Sequence, residues 1–134
     1  MPSAVSLIRS LQLAPAEYAH AASTAPGARL IFLAGACPVE PDGRTSAPGD
    51  VGAQAARCLA NLDIALDAAG ASRRDVVQAR VLVASSDRAD LHLAWSVVHH
   101  GFADHEVPST LMGVTVLGYP DQLVEIEAIA AVVG

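Results

Sequence analysis

Glu125 and Glu127 stand two residues apart in the run Leu123-Val124-Glu125-Ile126-Glu127-Ala128-Ile129-Ala130. The run reads as a strand, along which side chains alternate between faces. Glu125, Glu127, Ile129, Ala131 and Val133 therefore share one face, and Val124, Ile126, Ala128, Ala130 and Val132 share the other. A strand apolar on both faces must be covered on both. A carboxylate in such a place needs a partner, or it marks a site. For Glu125 two readings stand side by side: a general base holding a water, or a carboxylate paired with a basic or backbone group across an interface. For Glu127 the interface carboxylate is the better reading.

Other residues could do chemistry but are placed less well. His99, His100 and His105, with Asp104 and Glu106, invite a metal reading. Zinc ligands sit on one rigid face or at recurrent spacings, whereas adjacent histidines on a helix point apart. A polar helix end, with its histidines complementing the dipole, accounts for them, and no metal is expected. Cys37 and Cys58 lack metal-ligand spacing and read as two reduced thiols. Cys37 reads as a packed small residue and Cys58 as structural. Trp95 falls on an apolar helical stripe and reads as core. The chain has no lysine, which removes lysine Schiff-base chemistry. None of Gly27, Gly35, Gly43 and Gly49 opens a phosphate-binding turn into a helix, so no cofactor is expected.

The elements that position these residues follow from pattern. Leu30-Ile31-Phe32-Leu33-Ala34, ended by Gly35, predicts a buried strand. The Pro-, Gly- and Asp-rich stretch 38–49 predicts a loop. Asp50 then caps a helix carrying Leu59, Leu62, Leu66 and Ala69 and stopped at Gly70. Residues 75–84 form a strand with one smooth face (Val77, Ala79, Val81, Val83) and one mixed face (Val76, Gln78, Arg80, Leu82). Ser85-Ser86-Asp87 caps a second helix with the stripe Leu91, Trp95, Val98 and Phe102, interrupted at Gly101. Strands over 109–117 and 123–133 follow, and residues 4–9 and 18–23 add a hairpin.

The order is that of a single α+β domain over residues 1–134. Two amphipathic helices can cover only one face of the sheet. The other face must meet another sheet, most simply in a second copy of the chain, so burial alone predicts a homo-oligomer.

Composition sets limits. The 134 residues suffice for one core; they are 52% hydrophobic, 16% charged and 4% aromatic, so that core is aliphatic and alanine-rich. A net charge of −6 opposes binding to nucleic acid by phosphate neutralisation, or to anionic membranes. No run is long enough to span a bilayer and no signal peptide is evident. The chain is expected in the cytoplasm.

These pieces together resemble the RidA/YjgF family, also called L-PSP endoribonuclease-like. Leu33-Ala34-Gly35 with Pro38, Gln54, Asn61-Leu62, Ala69-Gly70-Ala71, Asp75-Val76-Val77 and the closing Val124-Glu125-Ile126-Glu127-Ala128-Ile129-Ala130 carry the likeness, in order, from Tyr18 to Ala130. The resemblance implies a chorismate-mutase-like fold, a mixed sheet backed by two helices, assembling as a homotrimer around a central barrel. It implies small-molecule clefts between subunits and hydrolysis of enamines and imines to a keto acid and ammonia. Tyr18, Gly35 and Glu125 match its site tyrosine, glycine and water-positioning glutamate.

Three departures change the implied chemistry. The family's arginine in a Pro-Ala-Arg-Ser segment is Thr110 here, within Pro108-Ser109-Thr110-Leu111, and its Ser-Gly-Gln is Ala34-Gly35-Ala36. An arginine makes two charge-assisted bonds to a carboxylate; Thr110 offers one neutral bond. Losing one partner of a buried charged pair costs about 2–5 kcal/mol in binding. The expected ligand is therefore neutral or cationic, contacted by Tyr18, Ala34, Gly35, Ala36, Thr110, Leu111 and Glu125. Arg29, Arg44 and Arg80 read as solvated and none is named as a replacement. A non-catalytic ligand-binding or accessory protein is the alternative, and ribonuclease activity, which the family's other name suggests, fits the acidic charge least.

Overall fold

The structure, a computed structural model, describes residues 3–134. Six strands, β1 (Val5–Ile8), β2 (Ala21–Thr24), β3 (Arg29–Phe32), β4 (Val76–Val83), β5 (Ser109–Gly113) and β6 (Val124–Val132), accompany two helices, α1 (Val51–Ala68) and α2 (Arg88–Phe102). β1 and β2 pair antiparallel as a separate hairpin, while the main sheet runs β3-β6-β4-β5. Only the β4–β5 pairing is parallel, and α2 makes the crossover between them. The sheet is mixed, and the fold is α+β as the pattern implied.

Both helices start where a side chain takes up a free backbone N–H. Asp50 accepts from Ala53 N at 2.9 Å, and Asp87 accepts from Ala89 N at 2.9 Å. α1 lies on β6 and α2 on β4 and β5. Leu59, Leu62 and Leu66 of α1 meet Val81, Val83, Val124 and Ile126 in one aliphatic core. α2 runs through Gly101 to Phe102. A Cβ on Gly101 would stand 2.5 Å from Leu59 Cδ1, so that glycine permits close helix packing and does not break the helix.

The two faces of β4 depart from strict alternation. Its pairing with β6 shifts between Val76 and Gln78, so Val77 is the extra residue of a β-bulge. Val76 is thereby buried beside Ala79 in the helix-side core, while Val77 packs with Ala4, Val5 and Ala131. This reverses the sides predicted for Val76 and Val77. β5 also ends earlier than expected, at Gly113. A Cβ there would stand 2.6 Å from Ser85 O.

The second face of the sheet is covered in part by the chain's own hairpin, at Ala131 and Val77. The second sheet expected on this face is thus supplied in part by the chain itself, and not by another copy alone. The rest is uncovered: Leu30 and Phe32 are 48% and 73% exposed, on the same face as Ile129 and Glu127. Among the described residues no helix is long and apolar enough to cross a membrane.

Candidate functional site

Glu125 is half-buried near the start of β6, and three neighbours define its carboxylate. Gln122 Nε2 donates to Glu125 Oε1 at 3.1 Å, and the Cys37 thiol donates to the same oxygen at 3.3 Å. Gly35 supplies space: a Cβ there would overlap Oε2 and stand 2.7 Å from Cδ. The stretch after β3 is tied alongside β6 by the Ala36–Ile126 bridge, with N···O distances of 2.7 and 3.0 Å. From α1, Asn61 Nδ2 donates to Cys37 O and Val39 O at 2.8 and 3.0 Å. Helix, loop and strand thus converge on one carboxyl group.

Burial, then the hydrogen bond to Glu125 and that carboxylate's charge, push the Cys37 thiol up to about 11, against a smaller lowering effect of Gln122. Cys37 is therefore a protonated donor at neutral pH and a poor nucleophile. Beyond packing as a small residue, it orients the Glu125 carboxylate. Cys58 is fully buried under β6 and donates to Val124 O at 3.4 Å; both thiols are free.

Tyr18, Thr110 and Leu111 meet elsewhere. With Glu17, His92, Trp95 and His99 they line a hollow of about 770 Å³ between α2 and the β5 edge. Trp95 is half-buried: it packs against the core, as expected, and also forms part of this wall. Tyr18 meets Trp95 edge-on, 6.0 Å between centroids at 86°, and His99 stacks on Trp95 at 5.8 Å and 18°. Glu17 holds the group together: its Oε1 accepts from Trp95 Nε1 at 3.1 Å, and its Oε2 lies 3.2 Å from His99 Nε2. Spacing offers little sign of this grouping, since Glu17 and Trp95 are far apart in the chain.

The three histidines separate. His105 is buried and its Nε2–H donates to Val76 O at 2.8 Å, His100 Nδ1 donates to Ser96 O at 2.6 Å, and His99 faces Glu17. Among the described residues no group of three or more His, Cys, Asp or Glu side chains is placed to hold a metal ion.

The predicted ligand residues therefore fall into two sets within one chain. Gly35, Ala36 and Glu125 stand together on the β3 side of β6, with exposed Ala34 just before them; Tyr18, Thr110 and Leu111 stand at the β5 edge. Arg80 is beside Thr110 in the register and opposite Glu127. With Glu127 and Phe32 it lines a separate hollow of about 270 Å³. No arginine lines the Tyr18–Thr110 hollow.

The fold and these residues have relatives. Residues 11–132 match the model of the family described as Endoribonuclease L-PSP. The chain is 34% identical over 101 residues to a RutC family protein of Pyrococcus abyssi, covering 75% of this chain and 77% of that one. Its structure is similar to that of the Rid-family protein YyfB from Yersinia pestis, with a TM-score of 0.89, 27% identity and coverage of 96% and 99%. It is also similar to a YjgF/YER057c/UK114 family member from Mycobacterium tuberculosis, with a TM-score of 0.64, 29% identity and coverage of 96% and 99%. A family-model match over residues 11–132, with a relative 34% identical over 101 residues, means that this chain belongs to the L-PSP, or RidA/YjgF, family.

Proposed function

We propose that this chain is an arginine-lacking member of its family, working in the cytoplasm as a homotrimer around a central barrel. Each intersubunit cleft joins the Glu125 set of one copy to the Tyr18–Thr110–Leu111 set of the next. The observation that carries this reading is that the two sets lie toward opposite edges of one sheet. Such a head-to-tail contact closes into a ring when the rotation allows it. The exposed Leu30 and Phe32 give the same contact apolar area to bury.

The reaction is hydrolysis of an uncharged or cationic enamine or imine. An enamine first takes a proton at carbon to become the imine; Glu125 then takes a proton from a bound water, whose oxygen attacks the carbon of the carbon–nitrogen double bond. The nitrogen is protonated and leaves as ammonia or an amine, and a carbonyl compound remains. Glu125 suits the role because Oε1 is oriented by Gln122 and Cys37 while Oε2 accepts no hydrogen bond among the described residues. Thr110 makes a carboxylate-bearing substrate a poor ligand.

Imines generated in situ, with and without a carboxylate, test this. Carboxylate-free imines should turn over, and Glu125→Gln should lower the rate by about 10²–10⁴-fold, the usual worth of a general base. No turnover above the Glu125→Ala background refutes the enzyme. A preference for carboxylate imines that Arg80→Ala abolishes refutes the neutral-ligand assignment. A monomer by light scattering refutes the shared cleft.

A non-catalytic ligand-binding role is the second reading. It is favoured by the two hydrogen bonds already made to Oε1, which hold the carboxylate as an anchor. Saturable binding without chemical change would select it. Ribonuclease activity is the least supported, given the net charge of −6.

A further inference from the structure

We infer that the hollow beside Trp95 is a site for an organic cation, an alkyl- or arylalkyl-ammonium group held against the Tyr18–Trp95 pair by the Glu17 carboxylate. This rests on the reading of that hollow as one half of the ligand cleft, and it names the chemistry that half selects.

The charges come first. Among the lining residues Glu17 is the only carboxylate, the histidines His92, His99 and His100 are the only basic groups, and there is no arginine. Arg9, the arginine nearest in sequence to Glu17 and Tyr18, is committed elsewhere: it donates to Ala16 O and Tyr18 O at 3.0 Å and pairs with Glu106 at 2.7 Å. The second carboxylate facing His99 is Glu106, 4.0 Å from His99 Nε2. An anion entering the hollow finds no fixed positive charge, whereas a cation finds Glu17.

The rings supply the rest. Tyr18 and Trp95 stand perpendicular, edge to face, and an aromatic face attracts a cation within about 6 Å of its centroid. The indole N–H holds Glu17 Oε1 beside that pair. A carboxylate has roughly four acceptor positions, so the bonds to Trp95 and His99 leave Glu17 able to receive an ammonium. Apolar bulk on the cation has Leu111 to rest on.

Trp95 is the only tryptophan in the chain, so its fluorescence reads this hollow directly. Benzylammonium, benzyl alcohol and benzoate have similar size and differ in charge. The expected order is benzylammonium tightest, by about tenfold over benzyl alcohol, and benzoate weakest. Glu17→Gln should abolish the advantage of benzylammonium over benzyl alcohol. Salt should weaken benzylammonium alone, which checks the charge dependence without any variant. Benzoate binding as tightly as benzylammonium, a Glu17→Gln variant with undiminished selectivity, or no saturable change with any probe would overturn the site. Charge selection through Glu17 without imine turnover upholds it and sinks the hydrolysis. Imine turnover with indifference to probe charge does the reverse.

Discussion

Gln122 Nε2 bridges Val124 O and Glu125 Oε1, at 3.1 Å to each, while Gln122 Oε1 accepts from Tyr119 N at 3.0 Å. One nearly buried amide thus joins the turn before β6, the backbone of β6 and the carboxylate that β6 presents. The position of Glu125 is therefore set from below by Gln122 and from the side by Gly35.

Gly35 is the narrower constraint. Its need is for space, because a methyl group there would occupy the volume of the Glu125 carboxyl. Gly35→Ala is expected to displace Glu125 and to cost about 1–3 kcal/mol, the usual penalty of overpacking. Urea denaturation measures the cost. Alkylation of Cys37 should also accelerate as the carboxylate leaves the thiol. Unchanged stability and thiol reactivity would show that Glu125 has another place to go.

The Cys37 thiol, raised to about 11 from 9.0, should alkylate slowly at neutral pH. Burial comes first among the causes, and Glu125 supplies the next two. Glu125→Gln should therefore lower the thiol's pKa and speed its alkylation at about pH 9, measured by mass spectrometry. Burial raises the Cys58 thiol as well. Both thiols keep their protons to higher pH in the folded chain than in the unfolded one. Their contribution to stability is therefore complete below about pH 9 and is lost as pH rises through the folded values. Urea midpoints should fall between about pH 9 and 11, and fall less in Cys37→Ala.

Gln54 is fully buried, and its side chain joins three backbone groups in two segments. Its Nε2 donates to Ala47 O at 3.3 Å and Asp121 O at 2.9 Å, and its Oε1 accepts from Leu123 N at 2.7 Å. Ala47 and Asp121 have φ of 47° and 62°, a left-handed conformation that non-glycine residues adopt at a cost. Gln54→Leu leaves these groups without their partner and should destabilise the fold by roughly 2–3 kcal/mol. Thermal or urea unfolding measures it, and a change below about 0.5 kcal/mol would mean that water replaces the amide.

The strands and helices were legible because their periods are local. Asp50 and Asp87 cap helices where the pattern places them, and Glu125 and Glu127 share a face as their spacing requires. The reading failed where a non-local contact decided the outcome. Val76 and Val77 change sides because a bulge, invisible in composition, interrupts the alternation. Trp95 packs against the core yet also becomes a surface wall, because Glu17 and Tyr18 come from a distant loop to meet it. Gln122 had no periodic signature, since its role depends on a turn. Cys37 could be placed near the cleft by its distance from Gly35, but the bond to Glu125 spans 88 residues.

The bulge at Val77 gives the fourth strand two phases. Everything from Gln78 onward keeps step with the carboxylate-bearing strand, while Val76 and Val77 keep step with the core and the terminal hairpin. One surplus valine thus acts as a clutch between the two ends. Substitutions that retune the hairpin's grip need not shift Arg80 or Leu82 relative to Glu127 and Glu125, so the cover over one end of the sheet can drift while the reactive end stays in register.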